Sequence, residues 1–288
     1  MKKTISIIIT ITLVGFLIYA ITFRKKEIPV EKPGKVVATT AYQKYFGPAP
    51  SLDKGTAYAF VIYFPSRKEP GTVVPFPFFT FDEGSIKKVA IERLLGGMET
   101  GSYQGEFIHF PTGIRLIATN DDHGTVTVNF NMELNTSVES AELRALALTL
   151  RQFKGVKDIR LQVEGKESPL GGLIKNVDDS AVQQQSPPRL LSVTAMKDKG
   201  ARDIEEVNAF FDRPVEVKEL KLLSKDGQPF AGDLYHSVFD MAAVLKPNDP
   251  SQLKERMPIK VRWKVVDKLG RQAEGDSDWL LEVKQHEQ

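Results

Sequence analysis

The stretch Ala57-Tyr-Ala-Phe-Val-Ile-Tyr-Phe64 is β-branched and aromatic along its length and is closed by Pro65-Ser66. Such a run ending on a breaker predicts a β-strand. Val73–Phe81 is apolar again, and Pro75 and Pro77 mark it as an edge or irregular strand, because proline cannot donate to a ladder. From Ser85 the period changes. Ile86, Val89, Ala90 and Leu94 fall on one helical face, and Gly96-Gly97 stops the helix. Arg115–Thr119 and Thr125–Phe130 read as two strands around the turn-rich tip Asn120–Gly124, with Val126, Val128 and Phe130 alternating with polar residues. Thr136 and Glu139 have the spacing of a capping box for a second helix, whose apolar face is Leu143, Leu146, Leu150 and Phe153. Gly155 ends it, and Val156–Val163 gives a last strand. Residues 51–165 therefore read β-β-α-β-β-α-β, an α+β sheet with its helices on one face.

Upstream, Lys2 and Lys3 precede an uncharged run over residues 5–23 that Arg24, Lys25 and Lys26 close. As a helix, about 19 residues at about 1.5 Å each cover roughly 28 Å, close to a bilayer's hydrocarbon core. No small-x-small cleavage site stands at its end, so residues 1–23 read as a single-pass signal-anchor rather than a removed leader. Flanking charge does not fix its orientation. Residues 24–50 are charged and Pro-containing and read as a tether. Downstream, residues 166–188 hold few apolar side chains, a Gln183-Gln-Gln185 run and Pro187-Pro188, and read as a linker. Residues 189–285 are strand-rich: Leu190–Ala195, Glu206–Phe211, Val217–Leu223, and Ile259–Val265 with alternating lysine and arginine, then Trp279, Leu281 and Val283. These short strands, with Asp226-Gly227 as a hairpin turn, predict an all-β, Ig-like sandwich.

Composition narrows the chemistry. The net charge of +2 balances 39 basic against 37 acidic residues, which gives no field for nucleic acid. There is no cysteine, so disulfides, thiol catalysis and thiolate metal sites are excluded. The four histidines stand at positions 109, 123, 236 and 286, without metal-pair spacing. No phosphate loop, nucleophile elbow or His-Glu-x-x-His run occurs. The sequence therefore assigns no catalytic, cofactor or metal residues. Asp121-Asp122-His123 reads as a solvated turn. The segment Phe76-Pro-Phe-Phe-Thr-Phe81 offers Phe76, Phe78, Phe79 and Phe81 as a partner-binding surface, or alternatively as a core strand whose alternate residues face a helix.

The first domain resembles the spore-germination GerM family. The residues carrying the likeness are Tyr63-Phe64-Pro65, Ile91–Gly97, Phe110-Pro-Thr-Gly113, Val126–Phe130, Leu148–Phe153 and Val163-Glu-Gly165. Met98 departs from the family's usual Gly-Pro there. The resemblance implies sporulation or germination proteins of the cell envelope, domains that pack side by side, a fold facing away from the cytoplasm, and no active site. More weakly, the second domain resembles bacterial Ig-like domains related to the CopC fold, through Asn208–Pro214 and Ile259–Val266. Copper-binding members place a histidine where this chain has Arg271, and arginine cannot ligate copper.

These readings lead to a membrane-anchored, non-enzymatic envelope protein without cofactors. Its partners would be other envelope or sporulation proteins, or copies of itself. The rival expectation is a sensor that binds a small molecule or wall fragment.

Overall fold

The computed structural model describes residues 33–98, 101–175 and 177–286. The expected membrane segment, residues 5–23, lies outside them. Among the described residues no helix is long and apolar enough to cross a membrane.

The run Ala57–Phe64 lies in strand β2 (Thr56–Pro65), in which Ala59, Phe60, Val61, Ile62, Tyr63 and Phe64 are all buried. Side chains alternate across a strand, so burial at every position requires cover on both faces. Helix α3 (Ser140–Arg151) packs on β2 from one element of that cover, and α1 (Thr40–Phe46) supplies another. β1 (Lys35–Ala38) pairs in parallel with β2, and β3 (Val73–Thr80) pairs antiparallel on its other side, with Pro75 and Pro77 on the edge strand as expected. The tether expected over residues 24–50 is thus corrected from Lys35 onward. Tyr42 and Phe46 of α1 are buried in the same core as β2, their spacing of four bringing both onto one helical face.

A second sheet holds β4 (Leu116–Asp122), β5 (Thr125–Phe130), β6 (Asp158–Val163) and the short β7 (Lys166–Glu167). The element order over residues 51–165 is the expected one, but the strands divide between two sheets instead of forming one. Helix α3 touches β2 of the first and β6 of the second, and α2 (Ile86–Gly96) touches β2, β4 and α3. One apolar core fills the space between them. The hairpin between β4 and β5 turns on His123-Gly124, both with positive φ (51° and 91°), so Asp121 and Asp122 end a strand. The capping-box reading also shifts. Helix α3 begins at Ser140 with Glu139 itself in the N-cap position, while Thr136 belongs to a separate helical turn, Leu134–Ser137.

Residues 166–188 are not a free linker. Ile174 is fully buried in the α+β core, and Leu170, Val177 and Val182 pack against it. The Arg151 guanidinium donates to the carbonyls of Ile174, Lys175 and Val177.

The β-rich half contains two sheets. One has the order β11-β12-β9-β8-β15 and the other β10-β13-β14, with ranges β8 Leu190–Lys197, β9 Glu206–Phe211, β10 Val215–Ser224, β11 Gly232–His236, β12 Ala242–Pro247, β13 Pro258–Asp267, β14 Gln272–Leu280 and β15 Glu282–Gln285. Val193, Val207, Phe211 and Leu245 of the first sheet share a core with Leu222, Ile259, Val261 and Trp263 of the second, the packing of a sandwich. Gly275 faces the Trp263 indole so closely that a Cβ there would lie 2.7 Å from the ring nitrogen. Trp279–Val283, read as one strand, is split. β14 ends at Leu280, the buried Leu281 crosses between sheets, and β15 then pairs in parallel with β8.

Side chains of the α3 region extend the pairing of the first sheet, the Thr149 hydroxyl accepting from the Tyr63 N–H (3.2 Å). Beyond Ala38, where β1 ends, the Gln152 amide takes over the pairing of β2. Its Oε1 accepts from the Val61 N–H (2.8 Å) and from the Thr39 hydroxyl (2.9 Å), and its Nε2 donates to the Val61 carbonyl (2.5 Å). Leaving both backbone groups of fully buried Val61 unpaired costs about 1–3 kcal/mol each. Gln152→Met, similar in shape but unable to bond, is expected to lower stability by about 2–4 kcal/mol in urea denaturation followed by circular dichroism. Gln152→Glu should lose stability as well, because it keeps an acceptor for the Val61 N–H but sets a carboxylate oxygen against the Val61 and Thr149 carbonyls to which the amide donates; unchanged stability in Gln152→Met would contradict this role.

Candidate functional site

The four phenylalanines expected as one binding surface are separated by the fold. Phe76 is core, with its ring 5.1 Å from Tyr103 and 5.4 Å from Phe107. Phe78 is half-buried beside Phe60, under the Arg93 guanidinium. Phe79 is half-buried and stacks on Phe239 of the β-rich half at 4.3 Å with an interplanar angle of 3°. Phe81 stays 62% exposed beside the same ring. Alternation along β3 explains the division, since Phe76 and Phe78 point to one face and Phe79 and Phe81 to the other. Phe239 reaches its stack with φ 68°, and Asp240 follows at φ 55°. Two consecutive left-handed non-glycine residues cost about 1–2 kcal/mol each, so the stack holds a strained turn in place.

The second joint between the halves is ionic and buried. Asp212 and Arg213 directly follow β9 and form a two-point pair, Nε to Oδ1 at 3.0 Å and Nη2 to Oδ2 at 2.8 Å, with side chains only 0% and 4% exposed. Asp212 also accepts from the Tyr103 hydroxyl of the α+β half (2.9 Å) and from the Arg189 N–H (3.0 Å). Asp267 lies 3.7 Å from the Arg213 guanidinium and binds the Arg271 Nε at 2.6 Å. Arg271 then donates to the Tyr45 carbonyl (3.0 Å) and, like Arg213, to the Gln185 amide oxygen (3.1 Å). Gln185 donates in turn to the Pro75 carbonyl (2.7 Å), and Gln183 bonds the Thr72 hydroxyl. The glutamine run read as low-complexity linker is therefore a bracket between the edge of β3 and two arginines of the sandwich.

Electrostatics follow from this burial. Burial would weaken the Arg213 charge, but Asp212 beside it prevails and holds it more firmly protonated. Burial pushes the Tyr103 phenol well up, and the Asp212 charge pushes the same way. At the rim, burial alone would raise Glu106, yet hydrogen bonds from Lys68 and Arg189 (both 2.9 Å) hold it below the usual carboxylate range. Its contribution is present above the ordinary glutamate value and is lost as pH falls through its own lower one.

A cavity of about 260 Å³ opens at this junction, lined by Lys68, Glu69, Phe76, Gln184 and Arg189 together with the buried pair. Elsewhere, Asp121 pairs with Lys87 at 2.7 Å and His123 is exposed in its turn. Asp198, Glu205 and His286 bring exposed ligand atoms within 4.8 Å of one another on the sandwich surface, where the His286 Nε2 lies 3.5 Å from a Glu205 carboxylate oxygen. Nothing further marks that group as a metal site. Arg271, read from sequence only as a missing copper ligand, is a structural clamp, and Asp212-Arg213 entered the sequence reading only within Asn208–Pro214, the stretch that carries the Ig-like resemblance, with nothing to mark the pair as buried.

Removing one partner of a buried ion pair typically costs 3–5 kcal/mol, because the other charge stays behind. Arg213→Met is expected to destabilise the protein by about that amount and to speed proteolysis within residues 176–188. Asp212→Asn should do likewise, while the rim variant Glu106→Gln should cost much less. Unaltered proteolysis in Arg213→Met would refute the clamp.

Residues 61–169 match the family model Germane, described as sporulation and spore germination. No protein of curated function matches the chain in sequence. Among solved structures, the chain is similar to the first GerMN domain of the sporulation protein GerM from Bacillus subtilis, with 21% identity over 39% of this chain and 90% of that one, at a TM-score of 0.33. It is also similar to the tandem GerMN domains of the same protein, at 20% identity over 45% of this chain and 47% of that one, TM-score 0.33. CopC from Methylosinus trichosporium OB3b is similar at 20% identity over 35% of this chain and 97% of that one, TM-score 0.25. The segment that holds α2, α3 and strands β3 to β6 is thus the part of the chain that matches the Germane domain of sporulation and spore germination.

Proposed function

We propose that the chain is a non-enzymatic, membrane-anchored envelope protein whose folded part lies outside the cytoplasm and serves as an interaction module in sporulation or spore germination. The observation that carries this reading is the Germane match over residues 61–169. Two features support it. The apolar run at residues 5–23 has the length of a membrane anchor. The buried ion pairs and the Phe239 stack fix the two halves as one body, with residues 34–288 forming a single compact unit, which suits a part that must present fixed surfaces to neighbours.

A second reading has one observation in its favour, the junction cavity. At about 260 Å³ it suits a small polar molecule and no more.

Digestion of a C-terminal tag by protease in intact protoplasts is the expected result; protection until lysis would place the folded part elsewhere and defeat the envelope assignment. Deletion in a spore-forming host should lower the yield of germination-competent spores several-fold, and normal sporulation and germination would reject the role. Thermal shift with amino acids and wall fragments separates the module from the sensor, since a ligand at 100 times its Kd adds about 2.7 kcal/mol to the folded state. A saturable rise abolished by Arg189→Ala would favour the sensor.

A further inference from the structure

The described sheets have several edges, and an open edge is a template for another chain unless it is protected. Most of them are. β3 is covered by the bridge from Val73 to Val182 and by the Gln183 and Gln185 bonds. β4 and β10 each carry a register shift, β4 after Leu116 and β10 after Val217. β14 presents Glu274, Asp276 and Asp278, β15 presents Glu282 and Lys284, β1 starts at Lys35, and β7 is two residues long.

β11 is different. It pairs regularly with β12, without a bulge, and has no proline and no lysine. Leu234 and Tyr235 are 43% and 51% exposed. Its bonding phase is fixed by the flanking bonds, Asn248 N–H to the Ala231 carbonyl and Ser237 N–H to the Ala242 carbonyl, both 2.9 Å. In an antiparallel ladder inward and outward bonding alternate residue by residue. Asp233 and Tyr235 therefore bond inward to β12, and Gly232, Leu234 and His236 turn their N–H and C=O groups outward. Among the described residues, none of these outward groups meets a backbone partner.

We infer that β11 is a homodimer edge that pairs antiparallel with β11 of a second copy about a twofold axis at Leu234. The outward residues are symmetric about that position, so this one register pairs every outward N–H and C=O. Leu234 then faces Leu234 of the second copy, an apolar pair. Gly232, which has no side chain, faces the His236 imidazole. Asp233 faces Tyr235, which keeps the two carboxylates apart. The result is one continuous sheet across two sandwiches. A strand of this length makes a small interface, so the dimer is weak and concentration-dependent. The inference rests on the β-rich half and not on the envelope role, so either can fail alone.

The chain has no cysteine, which allows a direct test. Leu234→Cys places two thiols on the axis with Cα atoms about 5.5 Å apart in a hydrogen-bonded pair, within disulfide range. In the full chain held in detergent and mildly oxidised, Leu234→Cys should form covalent dimer several-fold faster than Leu173→Cys, a site 53% exposed on the α+β half. Adding His236→Pro, which removes an outward donor and is tolerated on an edge, should bring Leu234→Cys down to the Leu173→Cys rate with melting unchanged. Equal rates at Leu234 and Leu173 would overturn the inference, as would a fast rate that His236→Pro leaves intact in a folded protein. If His236→Pro lowers melting, the contrast between the two cysteine sites decides by itself.

Discussion

Arg213 is held on one side by Asp212 and faces Asp267 on the other, with almost no access to water. Burying those charges costs several kcal/mol per ion, which only close geometry and further hydrogen bonds offset. The offset comes from partners in different parts of the chain: Tyr103 in the α+β half, Gln185 and Ser186 in the connection, and Arg271 in the sandwich. No one part can be withdrawn without stranding a buried charge. The two halves therefore have separate hydrophobic cores but share one electrostatic knot, to which Gln185 and Ser186 of the connection also contribute.

The Phe239 stack works in the same direction by other physics. Its backbone strain is offset by an aromatic contact that forms only when the sandwich sits where it does, against Phe79. A polar joint and an apolar joint at separate points resist rotation better than either alone. Together they tie the two halves to each other at two separate places.

Within the α+β half, β2 is buried on both faces because chain from outside the Germane match, α1 together with β1, closes it. Gln152 then supplies by side chain the pairing that β1 is too short to give. The matched region thus depends on residues 35–46, whose composition gave no sign of it.

Sequence alone determined the elements that report themselves locally. The alternation of Val126, Val128 and Phe130, the apolar faces of α2 and α3, the prolines of an edge strand and the Gly stops all act within a few residues, so their order could be read directly. It also fixed what the absence of cysteine excludes. Tertiary structure decided the rest. It divided one expected sheet into two, turned part of a tether into core, and dispersed the phenylalanines of β3 between core and junction. Asp212, Arg213, Gln185 and Arg271 look like surface residues in sequence, because a charge or amide declares no burial until its partners arrive from distant positions. The open edge at β11 is of the same kind, since β11 and β12 carry little periodicity and their exposure is set by the strands that pair beside them.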